Sequence, residues 1–318
     1  MTEATIVIPN YNGKALLENC IKTLEQQTLT DFKVLVIDNG STDGSTSVTS
    51  EILDMEIIAL GENTGFCKAV NLGIKKTKTP FVILLNNDTE VEPHFVEELL
   101  RGMKQSEDIF SGSAMMLDFR QRDILDNAGD LYTVLGWARA RGKGKPAALF
   151  EEEADIFSAC GGAAIYRMAL LQKTGLFDER HFAYLEDVDL GYRAKIMGYR
   201  NRYFPGAKVY HVGSATTGAR YNEKKVYLAA RNSVFVAYKN MPVPQRVMNA
   251  LFLSVGILIK WLFFCRKGFG KEYRTGIKEG IAACRSLKPV NFSAQPFRRY
   301  VELEIEMISN SFRVLREK

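Results

Sequence analysis

An α/β fold with a mostly parallel central sheet flanked by helices is what this sequence predicts, on three observations. Short apolar runs alternate with amphipathic stretches from the first residues onward. The amphipathic stretches carry their apolar residues at helical spacing, and the runs have strand length. Polar residues Asn10, Asp38 and Asp88 each fall where an apolar run ends. Strands alternating with helices bury both sheet faces, and in such sheets ligands bind at the carboxyl edge of the strands. Three strand ends delivering acids and amides point to one polar site there.

In chain order, Thr5-Ile6-Val7-Ile8 reads as a buried strand, followed by a helix with Leu17, Cys20, Ile21 and Leu24 on one face. Phe32 to Asp38 is a strand ending in an acid, and Ile57 to Leu60 a shorter one. A helix from about Phe66 to Lys75 precedes the strand Phe81 to Leu85, which runs into Asn86-Asn87-Asp88. Residues 118–157 show no period and combine a basic, Gly-rich piece (Arg139 to Lys145) with Glu151-Glu152-Glu153, so they read as a loop region or mobile flap. The character changes near Pro244, which divides the chain into a catalytic body, residues 1–240, and a helical, basic extension, residues 241–318. Ala250 to Cys265 is almost continuously apolar apart from Lys260, with basic flanks at Arg246, Arg266, Lys267, Lys271 and Arg274. That is short for a bilayer span, which needs about 20 residues. It suits a helix lying in a membrane interface, or else a buried core or homodimer helix.

Composition excludes disorder: 46% of the 318 residues are hydrophobic and 25% charged. Five scattered cysteines without a C-x-x-C pair argue against a disulfide framework and a structural zinc site. With no signal peptide at the start, they predict a cytoplasmic protein. The net charge of +5 is uneven, because residues 246–299 hold 11 Lys/Arg against 2 Asp/Glu. An anionic membrane surface fits that asymmetry better than nucleic acid.

Three groups carry chemistry. Asn86, Asn87 and Asp88 offer hard oxygen ligands for Mg2+ or Mn2+, although the triplet also reads as an ordinary strand-end turn. Glu186-Asp187-Val188-Asp189 places three acids at a helix start, where they complement the helix dipole. Crowded by His181, Phe182 and Tyr184, one of them would instead be desolvated into a general base. His211 ends an apolar run; a lone histidine is usually structural, but one at a strand end can complete a metal sphere.

Together these residues resemble glycosyltransferase family 2, whose members have the GT-A fold. The resemblance covers roughly residues 4–240. Ile8-Pro9-Asn10-Tyr11-Asn12 is similar to the opening motif at the nucleobase, and Asp38-Asn39-Gly40-Ser41-Thr42-Asp43-Gly44 to the loop after the second strand. Asn63, Gly65, Ala69, Asn71 and Gly73 match a segment lining the nucleotide site. Asn86-Asn87-Asp88 stands where the family has D-x-D, with Asn86 in place of the first acid. The resemblance implies a nucleotide site of Pro9, Asn10, Tyr11, Asn12, Asp38, Asn39, Gly65, Asn71 and Asn87. It implies a divalent metal (Mn2+ or Mg2+) at Asp88, His211 and Asn86. It further implies Asp187 as base beside Glu186, and an acceptor side of Gly161, Gly162 and Arg193.

The implied reaction is inverting transfer from a dTDP- or UDP-sugar to a glycan or lipid-linked glycan. Bacterial rhamnosyltransferases using dTDP-rhamnose are the most similar subgroup, which would place the protein on the inner face of the cell membrane. A nucleotidyltransferase would want a Gly-rich, basic loop after the first strand, and Pro9 to Gly13 has one Gly and no Arg. A dinucleotide enzyme would want G-x-G-x-x-G there. A non-catalytic sugar-nucleotide-binding scaffold and a UDP-hexose-dependent transferase are the remaining alternatives.

Overall fold

The structure is a computed structural model describing residues 2–213, 221–290 and 295–316. In order come β1 (Ala4–Asn10), α1 (Lys14–Leu24), β2 (Phe32–Asp38), β3 (Asp54–Ala59), α2 (Phe66–Lys76), β4 (Phe81–Leu85), β5 (Thr89–Val91), α3 (Phe95–Met103) and β6 (Ile109–Asp118). Four three-residue strands follow: β7 (Leu125–Asn127), β8 (Asp130–Tyr132), β9 (Ala138–Ala140) and β10 (Ala154–Ile156). Then come β11 (Ala163–Arg167), α4 (Met168–Thr174), α5 (Glu186–Ile196), β12 (Arg200–His211), α6 (Glu223–Asn240), α7 (Val243–Arg266), α8 (Gly270–Ala283) and α9 (Phe297–Arg316).

The main sheet runs β10-β12-β6-β11-β4-β1-β2-β3. β3, β2, β1 and β4 are mutually parallel, β11 is antiparallel between β4 and β6, and β12 runs parallel to β6. This is the expected mixed α/β layering with helices on both faces. β1 and β4 are buried almost throughout, because a central strand covered on both sides reads as a continuous apolar run. One face packs against Leu17, Cys20, Ile21 and Leu24 of α1 and against α3; the other packs against Cys67, Val70 and Ile74 of α2. β3 begins three residues earlier than its apolar run. At the sheet edge it alternates Asp54 and Glu56 outward while keeping register with β2, so hydrophobicity alone underestimates it.

The expectation of a loop or flap over residues 118–157 is corrected. β7 pairs with β6, β8 with β9, and β10 with β12, and Leu125, Leu131, Tyr132 and Phe157 are buried. Strands of three residues are too short to show a period of two. The turn into β8 needs Gly129 (φ 89°), where a Cβ would meet Ile156 at 2.6 Å.

After residue 240 the helices pack onto the body. Tyr300, Leu303 and Met307 of α9 share a core with Tyr132, Phe157 and Tyr192, and Asn310 donates to the Tyr132 carbonyl at 3.1 Å. α7 is longer than its apolar run. Its 24 residues measure about 36 Å at 1.5 Å per residue, and it is long and apolar enough to cross a membrane. It is also inverted: Gln245, Asn249 and Gly256 are buried, while Val247, Met248, Leu251, Phe252, Leu258 and Leu262 face outward.

Candidate active site

Parallel register brings the carboxyl ends of β1, β2 and β4 together. Asn10 donates to Asp38 Oδ1 at 2.9 Å and to Ser41 Oγ at 3.2 Å, and Asn87 donates to Asn10 Oδ1 at 2.6 Å. Asp38 also accepts from the Ser41 amide at 2.9 Å. Asn10, Asp38 and Asn87 are all buried, so each needs these partners. Tyr11 and Asn12 are exposed at the rim and Pro9 is half-buried. Asn12 sits at φ 48° and accepts from the Thr42 amide at 2.8 Å, which ties the two loops together.

Two residues expected on the nucleotide act on the walls instead. Asn39 accepts from the Thr64 amide at 2.8 Å and donates to the Gly65 carbonyl at 3.2 Å. Asn71 is buried and exchanges hydrogen bonds with both backbone groups of Phe177, at 2.8 and 3.1 Å. Their amides are committed to neighbouring loops. Gly65 (φ 89°) is where α2 meets the loop before α5, since a Cβ there would approach the Phe182 ring to 2.6 Å.

The antiparallel pairing of β5 with β12 sets His211 opposite Thr89, and so beside Asp88. His211 Nε2 lies 3.3 Å from Asp88 Oδ1, and Nδ1 lies 2.8 Å from Asp126 Oδ2. Burial disfavours charge on this imidazole, but hydrogen bonds to Asp126 and Asp88 outweigh it and raise its pKa to about 9. Burial likewise opposes charge on Asp126, yet His211 and Lys143 hold it at about 2. Asp126 carried no sequence signal, because it lies in the stretch without a period.

Two ligands at right angles on Mg2+ or Mn2+, each about 2.1 Å from the ion, stand about 3.0 Å apart, close to the Asp88–His211 separation. An imidazole oriented by a carboxylate on its other nitrogen is a familiar ligand arrangement. These two residues fit a divalent ion. Among the described residues no group of three His, Cys, Asp or Glu side chains forms a cage. The Asn86 side chain lies against Gly162, where a Cβ would come within 3.1 Å of its Nδ2.

Asp187 stands across the Cys160–Gly162 loop. Its Oδ2 accepts from the Gly161 amide at 3.2 Å, and the Asn86 amide donates to the Gly162 carbonyl at 2.9 Å. One backbone loop thereby joins the Asp88 end of the cleft to the Asp187 end. The three acids of α5 meet three fates. Glu186 is buried with Oε2 lacking a partner among the described residues; burial, and then the charge of Asp187, push it well above the carboxylate range. Asp187 is half-buried; burial raises it too, opposed by the amides of Gly161 and Val188. Asp189 is fully buried yet held far below the usual range by Arg193 at 3.0 Å and Lys239 at 2.9 Å. Asn240 donates to its other oxygen at 2.9 Å.

Arg193, expected on the acceptor side, is corrected. Besides Asp189 it donates to the carbonyls of Thr174, Gly175 and Leu176 at 2.7, 3.2 and 2.8 Å. It cements α5 to the end of α4. The loop entering α5 is strained: Phe182, Tyr184 and Leu185 have φ of 64°, 73° and 65°, a region that bulky residues rarely adopt. Buried Asn232 of α6 holds it, with Nδ2 within 3.0, 2.9 and 2.8 Å of the carbonyls of His181, Ala183 and Tyr184. Sequence reading missed Asn232, Lys239 and Asp126. Nothing local marks them, since their partners lie far along the chain.

A polar cleft at the carboxyl edge of a mixed α/β sheet, with the half-buried Asp187 and the Asp88–His211 pair joined through the Cys160–Gly162 loop, has the place that ligand sites take in α/β folds. Residues 5–175 match the family model of glycosyl transferase family 2, and the chain belongs to that family. N-acetylglucosaminyl-diphospho-decaprenol L-rhamnosyltransferase of Mycobacterium tuberculosis is 27% identical over 290 residues, covering 80% of this chain and 92% of that protein. Among solved structures, a mannosyltransferase from Pyrobaculum calidifontis in complex with GDP-Man and Mn2+ covers 99% of this chain and 88% of its own, with TM-score 0.57 and 16% identity. GalNAc-T7 with UDP, GalNAc and Mn2+ has TM-score 0.61 and 15% identity, covering 75% of this chain and 48% of its own. These likenesses show the GT-A fold.

Proposed function

We propose that this glycosyltransferase moves L-rhamnose, with inversion, from dTDP-rhamnose onto a hydroxyl of a lipid-linked glycan at the inner membrane face, in cell-envelope polysaccharide synthesis. The observation that supports the reading most is the Cys160–Gly162 loop, whose Gly161 amide donates to Asp187 and whose Gly162 carbonyl accepts from the amide of Asn86, two residues before Asp88. The mycobacterial relative supports the donor and the acceptor lipid. The outward apolar face of α7 supports the membrane surface.

Asp187 takes the proton of the acceptor hydroxyl as that oxygen attacks the anomeric carbon. The bond from that carbon to the diphosphate oxygen breaks, and the nucleoside diphosphate leaves with the electron pair. Burial makes Asp187 a stronger base than an exposed carboxylate. Glu186, neutral behind it, adds no competing charge. Asp88 and His211 would hold a divalent ion, which when bound supplies charge neutralisation at the departing diphosphate. Asn10, Asp38 and Asn87 form a rigid polar floor for the base and ribose, while Tyr11 and Asn12 flank it.

Calorimetric titration of dTDP, UDP and GDP, with and without Mn2+, tests the reading. Metal-dependent binding of dTDP is expected. Binding of UDP alone replaces the rhamnose donor with a UDP-hexose, and binding without hydrolysis or transfer of any donor leaves a scaffold.

A further inference from the structure

A cavity of about 340 Å3 lies where α6, α7, α8 and the β8–β9 turn meet, outside the catalytic cleft. Val234, Ala237, Leu253 and Ile257 give it apolar walls, and Arg246 and Lys260 also line it. Neither cation pairs with a carboxylate among the described residues. Arg246 stacks over the Tyr238 ring at 4.5 Å, with its Nε buried and lacking an acceptor. Lys260 lies 5.8 Å from the Trp137 ring. The backbone positions of Arg246 and Lys260 on α7 are about 21 Å apart along the helix axis at 1.5 Å per residue. An apolar cavity bordered by a half-buried guanidinium whose Nε is buried and lacks an acceptor fits an apolar chain ending in a phosphate, since a buried donor without a partner is costly.

The groove shares its walls with the catalytic apparatus. Ser233 lines it, and its neighbour Asn232 holds the loop that presents Asp187. Trp137 belongs to the hairpin that opens with Asp130, which accepts from Ser158 beside the Cys160–Gly162 loop. On its far side α7 turns Leu251, Phe252, Leu258 and Leu262 to the exterior, so the groove lies behind a helix face apolar enough to rest on a bilayer. These continuities distinguish the reaction's own lipid from bulk phospholipid.

We propose that this groove holds the phosphate-bearing hydrocarbon chain of the acceptor lipid, with the phosphate at Arg246 and the chain along α7 toward Trp137. The proposal rests on the lipid-linked acceptor proposed above. The test uses the full chain in detergent, titrated with farnesyl diphosphate and followed by calorimetry and tryptophan fluorescence. Arg246→Gln and Ile281→Glu are the variants, the latter at a residue 60% exposed on the groove rim, where the fold tolerates it.

Saturable binding is expected, weakened tenfold or more by either variant, while nucleotide binding stays unchanged as the control for folding. Inorganic diphosphate, lacking the chain, should bind at least tenfold more weakly. Absence of saturable binding, or affinities within twofold of wild type in both variants, overturns the proposal. So does equal displacement of the probe by phosphatidylglycerol vesicles, which would make the groove a site for bulk lipid. Loss of probe binding with undiminished transfer to a lipid-linked acceptor sinks the groove alone. Probe binding without transfer to any lipid-linked acceptor sinks only the reaction it rests on.

Discussion

Adjacent acids on one helix turn carry different protonation states because each faces a different environment. Asp187 meets two amides and the cleft, Glu186 meets apolar burial and a like charge, and Asp189 meets two cations. Asp187→Asn should therefore lower transfer by roughly 10²–10⁴-fold and leave nucleotide affinity within about twofold; unchanged turnover would remove it as the base. His211 yields a pH prediction. Its folded pKa of about 9 lies above the ordinary imidazole value of 6.5, so the stability it contributes is full below about 6.5 and is lost as pH rises through 9. That contribution is on the order of 3 kcal/mol. Melting of the metal-free protein should fall across that window, and should fall less in His211→Gln. Asp126→Asn, which removes the carboxylate orienting the imidazole, should weaken Mn2+ binding 10–100-fold; an unchanged metal affinity would make that contact incidental.

At the scale of elements, the strained entry to α5 depends on α6. The three positive φ angles of Phe182, Tyr184 and Leu185 persist because Asn232 satisfies the carbonyls they turn inward. Asn232→Ala removes the one side chain that bridges the carbonyls of His181, Ala183 and Tyr184, a cost of roughly 1–3 kcal/mol. Donor hydrolysis should drop with it, because the loop presenting Asp187 relaxes. A variant as active and as stable as wild type would show the loop holding itself. Much of this level was legible beforehand. β2, β4 and the face of α1 coincide with their apolar patterns, since central strands and covered helices bury what the pattern displays. The segment 118–157 was not, because strands of three residues acquire their order from partners such as β6 and β12.

For the whole molecule, the helices after residue 240 are bound into the catalytic body. Tyr300, Leu303 and Met307 fill a core with Tyr132 and Tyr192, and Glu306 of α9 pairs with Lys195 of α5 at 2.9 Å. Removing residues 245–318 should therefore unfold the region around α5 rather than release a soluble enzyme. Membrane affinity is better tested on the outer face of α7. Leu251→Glu with Leu258→Glu should shift the folded protein from anionic vesicles to solution, as judged by sedimentation, with nucleotide binding retained. Equal co-sedimentation of variant and wild type would remove α7 from the membrane contact.

By itself the sequence determined the class of fold, the strand ends that build the polar cleft, and the acids and histidine of the proposed reaction. These are local: a strand's apolar run and the polar residue that ends it are neighbours in the chain. The tertiary structure decided which side chains face that cleft and which serve its walls. Asn39, Asn71 and Arg193 sit inside matching motifs, yet their hydrogen bonds go to loops at 64–65, 177 and 174–176. Asp126 and Asn232 belong to no motif, yet one orients His211 and the other holds the loop that leads to Asp187. A hydrogen bond between residues 51 or 85 positions apart leaves no periodic trace in the chain. Only the sheet register and helix packing bring its two ends within 3 Å, and burial then makes the pairing obligatory.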